Sequence, residues 1–309
     1  MKILGIGNAI IDVICKVDEN FISENSLIKG SMKLIFENHE FEKLLSNLKI
    51  EKTVSGGSVA NSIVGLSQLG NDVGFIGKIS NDDFGIKYEE GLKKENVKFF
   101  YSKKKETLPT GSCLILVTPD SERTMCTYLG TAGQINQNDI NVDVVKKSDI
   151  IFLEGYLWDE GAPKKAFNKA ISNSKKVAMS LSDQFCVDRH KSDFLDLVKN
   201  NLDIIFANES EMMSLINTKN FNEVISFGKQ IKKHLVVTRG DKGAISIFDN
   251  NISEIGVQNN LKIVDLTGAG DLFASGYLHA YVQNLSQKEC LKKGTQMSSK
   301  IIQQIGARI

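Results

Sequence analysis

The chain has 309 residues, of which 41% are hydrophobic, enough to bury the core of one large α/β domain. Its 38 lysines and arginines against 37 aspartates and glutamates leave a formal charge of +1, which excludes a global field for recruiting nucleic acid or a membrane surface and points to a small-molecule partner. Five cysteines without CxxC spacing argue against a disulfide framework or a zinc site. With no signal-peptide pattern and no apolar run near the ~20 residues of a membrane span, a cytoplasmic protein is expected.

In chain order, "KILGIG" predicts a first buried strand. Residues 12–36 then break the pattern, and their short apolar stretches predict strands and turns with no helix between them. "SVANSIVGLSQL" places Val59, Ile63 and Leu66 on one helical face, with Gly70 as the stop. "DVGFIGKI" predicts a strand and "DDFGIKYEEGLKKENV" a helix. Residues 98–130 form a second strand-rich excursion. After it, "DIIFLEG", "KVAMSLS", "DIIFAN" and "HLVVTRG" predict further buried strands with amphipathic segments between them. "LKIV" predicts a strand and "DLFASGYLHAYVQNL" a helix, whose run Ala274, Ser275 and Gly276 is expected to pack closely on the sheet. This rhythm predicts a doubly wound, mostly parallel sheet covered by helices on both faces, as one domain over residues 1–309. The two excursions are expected to pair into a small β-sheet lid beside a ligand crevice, or else to form an ordinary β-rich edge.

Three stretches carry chemistry. In "VDLTGAGDLFASGYL", a glycine-rich junction leads into a helix. Amides at a helix start lack intrahelical partners and sit at the positive end of the dipole, so Gly268, Ala269 and Gly270 bring backbone donors to an anion. Asp271 would repel that anion as a mere binder, but suits a general base taking a proton from an attacking hydroxyl; a capping role is the plainer alternative. "SGGSVANS" offers Gly56 and Gly57 for close backbone approach and Asn61 as donor and acceptor for a polyhydroxyl ligand. In "IGNAIIDV", Asn8 and Asp12 interrupt an apolar run, and a carboxylate can accept from two adjacent hydroxyls. Asn208 and Glu211, read locally, are helix caps. A dinucleotide fingerprint at "GIGNAI" lacks its third glycine, and "GFIGKI" lacks the length and final hydroxyl of a Walker loop.

The pair "SGGSVANS" and "DLTGAGDLFASGY", in this order, resembles the signatures of the pfkB carbohydrate kinases, the ribokinase-like family, over essentially the whole chain. The resemblance implies a doubly wound α/β fold with a small β-sheet lid, and transfer of the ATP γ-phosphoryl group to a substrate hydroxyl with Mg²⁺. It implies Asp271 as catalytic base and Gly268, Ala269 and Gly270 as anion hole. Asp12, Gly57 and Asn61, with Gly56 and Asn8 in the same motifs, would hold the sugar. "NESE" matches an Asn-x-x-Glu motif in which Asn208 and Glu211 organise Mg²⁺, waters and phosphates, Glu211 through water. "TRGDKGA" matches the ATP loop, with Thr238, Gly240 and Gly243 at its key positions. Leu266 stands where many members carry a small hydroxyl residue, which puts monovalent-cation activation in doubt.

For the acceptor, "GNAIIDV", "LPTGSC", "ERTMCTYLG" and "SLSDQFCVDRH" resemble the adenosine-phosphorylating branch, implying transfer to the adenosine 5′-hydroxyl to give AMP. A ribose, fructose or ketodeoxygluconate kinase is the alternative within the family, and a non-catalytic nucleoside- or sugar-binding protein the alternative outside it. Cys113 and Tyr128 are lid candidates for lining a base slot. Arg123 either reaches phosphate or substrate or stays an exposed strand arginine. A monomer and a lid-mediated homodimer both stay open.

Overall fold

The computed structural model describes residues 1–120, 122–158 and 161–309. The first part of the chain runs β1 (Ile3–Ile6), β2 (Ile10–Lys16), α1 (Glu19–Glu24), β3 (Met32–Ile35), α2 (Asn38–Ser46), β4 (Ile50–Gly56), α3 (Ser58–Gln68), β5 (Val73–Ile76), α4 (Asp83–Lys94), β6 (Lys98–Phe99), β7 (Gly111–Val117) and β8 (Arg123–Tyr128). It continues with α5 (Val142–Lys147), β9 (Ile150–Glu154), α6 (Ala162–Asn173), β10 (Val177–Ser180), α7 (Gln184–Arg189), α8 (Lys191–Asn200), β11 (Ile204–Asn208) and α9 (Glu209–Leu215). The last elements are α10 (Phe221–Ile231), β12 (His234–Thr238), β13 (Ala244–Phe248), β14 (Asn251–Ile255), α11 (Ala269–Tyr281) and α12 (Gln287–Ile301).

The apolar runs "ILGI", "VGFI" and "IIFLE" are buried along their whole length, as strands covered on both faces must be. They lie within a sheet of order β14-β13-β12-β11-β10-β9-β1-β5-β6. Strands β12 through β6 in that order pair in parallel, and β13 and β14 close one edge antiparallel. Alternation along each strand divides the core in two. Ile3, Phe75 and Phe152 face Ile63 and Tyr277 on one side, while Leu4, Ile151 and Leu153 face Phe167 and Phe194 on the other. Burying each such side chain contributes about 1.5–3 kcal/mol.

A second sheet has the order β3-β8-β7-β2-β4. One face of it, carrying Ile11, Val13, Leu114, Leu116 and Cys126, is buried core; the other, carrying Ile10, Asp12, Met32, Leu34, Cys113, Ile115, Met125 and Thr127, lines a cavity. The chain passes from β1 to β2 through Gly7, Asn8 and Ala9 alone, so the two sheets meet where those residues turn. Parallel strands of one sheet deliver their carboxyl ends to this same place: Glu154 ends β9, Ser180 ends β10, Asn208 ends β11 and Thr238 ends β12, and all four line the cavity.

Four local expectations are corrected. The segment 12–36 contains a helix, α1, because Asp18 caps it by accepting from the Phe21 amide at 2.8 Å. The second sheet also takes in β4, beyond residue 36, through antiparallel pairing with β2. "LKIV" is not a strand: Ile263 and Val264 are exposed, and the Val264 and Asp265 amides donate to the Ile302 carbonyl instead. In the small run of α11, Ser275 and Gly276 pack on helices, not on the sheet. A side chain added at Gly276 would strike the Lys293 carbonyl of α12, and Ser275 Oγ donates to the Ser62 carbonyl of α3. All five cysteines are buried and unpaired, and among the described residues no helix is long and apolar enough to cross a membrane.

Candidate active site

The cavity between the sheets has a volume of about 1060 Å³. Helix α11 begins at its floor. Gly268 precedes the helix with φ 77°, a left-handed conformation that glycine adopts without strain, and a side chain there would meet Ala307 at 2.7 Å. Nothing obstructs Gly270. Gly268, Ala269 and Gly270 all face the cavity; the Ala269 amide donates to the Leu266 carbonyl at 3.1 Å, and the remaining amides of this junction, at the positive end of the helix, suit an anion.

Asp271 does not cap this helix. Its Oδ1 accepts from Ser58 Oγ at 2.6 Å and its Oδ2 from Asn61 Nδ2 at 3.1 Å, both on the first turn of α3. The Asp271 main-chain carbonyl accepts from Ser62 Oγ and Ser275 Oγ, each at 2.9 Å. Two helices are thus interlocked around one carboxylate. Burial pushes that carboxyl up to about 6, against the pull of Ser58, Asn61 and the Arg308 charge.

Asp12 sits on β2, paired with Cys113 on one side and Val54 on the other. Burial raises its carboxyl to about 7, opposed by Arg308 and Arg123 and reinforced by Asp271. Gly56 does not reach the cavity; the Asp12 carboxylate lies where its side chain would be, at 2.5 Å, so Gly56 makes room for Asp12. Gly57 lines the cavity with φ 99°, and a side chain there would run into the Asn8 carbonyl. Asn8 is buried at 3% exposure, and its Oδ1 has no partner among the described residues.

Glu154 was not signalled as a site residue by sequence, beyond being a charge at the end of an apolar run. It is 1% exposed and accepts from the Asn8 amide at 2.9 Å, Asn8 Nδ2 at 2.7 Å and the Val59 amide at 3.1 Å. It therefore ties the turn after β1 to the start of α3. Burial holds its carboxyl up at about 7 despite these donors.

Asn208 and Glu211 form a reciprocal capping box at the start of α9. Asn208 Oδ1 accepts from the Glu211 amide at 2.8 Å, and Glu211 accepts from the Asn208 amide at 3.0 Å and Asn208 Nδ2 at 2.5 Å. Both line the cavity, and burial raises Glu211 to about 7. Thr238 lines it as well, whereas Gly240 and Gly243 do not. They shape the β12–β13 turn with φ 58° and 84°. Among the described residues no group of three or more His, Cys, Asp or Glu is arranged to hold a metal. The amide and carboxyl groups of Asn208 and Glu211 at the cavity wall offer oxygen donors of the kind that a hydrated Mg²⁺ takes.

Arg123 is not an exposed strand arginine. Its Nη1 lies 2.8 Å from Asp265 Oδ2 in the loop before α11, with both side chains largely buried. The same carboxylate accepts from the Thr267 amide, Thr267 Oγ1 and the Gly306 amide at 2.7–2.9 Å, so the acidic residue beside the exposed Leu266 is fully engaged within the protein. Cys113 lines the cavity but Tyr128 does not; it packs on Phe41 at 5.8 Å between ring centroids. Phe185, 84% exposed, stands at the cavity's mouth.

These buried acids fix a sign for the pH dependence of stability. Asp12, Glu154, Glu211 and Asp271 each hold a proton more tightly folded than unfolded. The stability they contribute is therefore present at low pH and lost as pH rises through 6 to 7. His234, which burial pushes down to about 4, and His279, also lowered by burial, act in the opposite sense, but below about 6.5. The ligand-free protein is expected to melt a few degrees higher at pH 6.5 than at pH 8, as read by calorimetry; a higher midpoint at pH 8 contradicts this.

Residues 2–309 match the family model described as pfkB family carbohydrate kinase. Adenosine kinase 2 of Arabidopsis thaliana is 25% identical over 98% of this chain and 94% of its own length. The 5-dehydro-2-deoxygluconokinase of Mesomycoplasma hyopneumoniae is 24% identical over 85% of this chain and 82% of its own. Among solved structures, adenosine kinase from Sinorhizobium meliloti superposes with a TM-score of 0.90 at 35% identity, covering 100% of this chain and 95% of that one.

Proposed function

Because the chain belongs to the pfkB carbohydrate kinase family, and is thereby a phosphotransferase with an alcohol acceptor, we propose that it transfers the γ-phosphoryl group of ATP to the 5′-hydroxyl of adenosine. The observation that carries the choice of acceptor is the two-sided wall of the cavity. Asn8, Asp12 and Asn61 form a polar slot, and directly beside it Ile10, Met32, Leu34, Cys113, Ile115 and Met125 form an apolar one. A free sugar fills only the first; a nucleoside fills both, ribose against the polar groups and base against the apolar ones. The unpartnered, buried Asn8 Oδ1 asks for a donor such as a ribose hydroxyl.

In this reading Asp12 and Asn61 orient the ribose, and the second sheet acts as the lid that excludes water. Asp271 accepts the proton of the 5′-hydroxyl while the amides of Gly268 and Gly270 receive the negative charge of the transferring phosphoryl group. Thr238 and the turn at Gly240 and Gly243 would bound the nucleotide side. Asn208 and Glu211 would hold Mg²⁺ through water, and the ion would neutralise phosphate charge.

The test is an ATP-dependent phosphorylation screen across adenosine, other nucleosides, ribose, fructose and ketodeoxygluconate. Adenosine is expected to give the highest kcat/KM, with AMP as product. The similarity to a deoxygluconokinase makes a sugar acid the second candidate, and turnover of a free sugar without turnover of adenosine would sink the proposal.

A further inference from the structure

Arg308 belongs to none of the motifs above, yet its guanidinium lies within the site. Residues 306–308 run along the loop before α11: the Gly306 amide donates to Asp265 at 2.8 Å, Ala307 abuts Gly268, and Arg308 Nε donates to Asn61 Oδ1 at 3.2 Å. Asn61 Nδ2 donates onward to Asp271 at 3.1 Å. A guanidinium offers donors only and a carboxylate acceptors only, so an amide placed between them satisfies both in one orientation. Turning that amide over would set donor against donor at Arg308 and acceptor against acceptor at Asp271.

Two further observations make the charge itself meaningful. Nη2 of Arg308 is enclosed and has no hydrogen-bond partner among the described residues. Burying a cation this way is costly unless opposite charge is near, and the acidic groups whose charge it feels are Tyr88, Asp12, Glu95 and Asp271. An apolar side chain would serve packing alone at lower cost.

We propose that Arg308 is a positioning residue for phosphoryl transfer: it fixes the Asn61 amide so that Nδ2 faces Asp271, and its charge acts on the Asp12 and Asp271 carboxylates. The role in transfer rests on the kinase reading of the site. The other charged or titratable groups around the two carboxylates are Arg123 from β8, Cys113 from β7, Tyr88 from α4, Glu154 from β9 and Tyr156 just after it. None of these hydrogen-bonds Asn61.

The experiment compares the full chain with Arg308→Gln and Arg308→Lys. Carbon-13 carboxyl NMR follows the titration of Asp271 in the ligand-free protein, its resonance assigned by loss in Asp271→Asn; kcat and KM are measured alongside. In Arg308→Gln the Asp271 midpoint is expected to rise by about one pH unit as the opposite charge is lost. Its kcat is expected to fall about tenfold, the effect of losing one hydrogen bond to a charged group, with the KM for ATP little changed. Arg308→Lys, which keeps the charge but not the planar fork, is expected to restore the midpoint and only part of kcat. A lower melting temperature and kcat in Arg308→Gln with an unmoved Asp271 midpoint would mark a merely structural residue and overturn the proposal. A wild-type chain that phosphorylates no acceptor would overturn the kinase reading instead, while the midpoint, which needs no substrate, would still judge the electrostatic part.

Discussion

Asp271→Asn is expected to lower kcat by about 10²- to 10⁴-fold, the range contributed by a positioned general base, or about 3–5 kcal/mol of transition-state stabilisation. The amide keeps the size of the carboxylate and can still accept from Ser58 on one side. What it loses is the capacity to take the proton released as the acceptor oxygen attacks. Binding of adenosine and nucleotide should change little, because the amides of Gly268 and Gly270 and the Asp12 slot are untouched. The wild-type enzyme should also lose turnover as pH falls through about 6, where Asp271 becomes protonated, and in Asp271→Asn that acid limb should vanish from the residual activity. Near wild-type turnover in the variant, with the acid limb still present, would remove Asp271 from the role of base.

Glu154→Ala is expected to cost about 3–5 kcal/mol of stability, as removal of one partner from a buried charged network does. The carboxylate serves three donors from two segments. Without it, the amides of Asn8 and Val59 and the Asn8 side chain are left buried and unpaired, each at a cost of about 1–3 kcal/mol. Part of that is returned because Glu154 no longer has to be desolvated. In a chain of this size the change corresponds to a melting-temperature loss of about 5–10 °C. Since Asn8 and the start of α3 form the polar slot, KM for the acceptor should rise more than KM for ATP. Unchanged stability and acceptor KM would mean that the turn after β1 holds its shape without Glu154.

Much of the frame was legible because parallel strands covered on both faces need continuous apolar runs, and "KILGIG", "DIIFLEG" and "DIIFAN" supply them without competing polar signals. The same logic fails at "LKIV". There the apolar side chains stay exposed, and hydrophobicity alone does not distinguish a strand from an extended segment whose amides are claimed by a helix end at Ile302. Asp271, Asp12 and Asn61 could be found because each sits in a local pattern of glycines or breaks an apolar run. Ser58, Glu154 and Arg308 could not, because what makes them matter is a partner distant in sequence: Ser58 and Arg308 meet the Asp271–Asn61 pair, and Glu154 meets Asn8. Local caps were readable from spacing alone, as with Asn208 and Glu211, whereas the Arg123–Asp265 ion pair required the folding of β8 onto the loop before α11.

The three-residue passage from β1 to β2 makes the strand that carries Asp12 also an interior strand of the second sheet, flanked by β4 and β7. In the proposed reaction an acceptor held by Asp12 would therefore bear directly on the second sheet, because acceptor site and lid share one continuous stretch of backbone running out of β1.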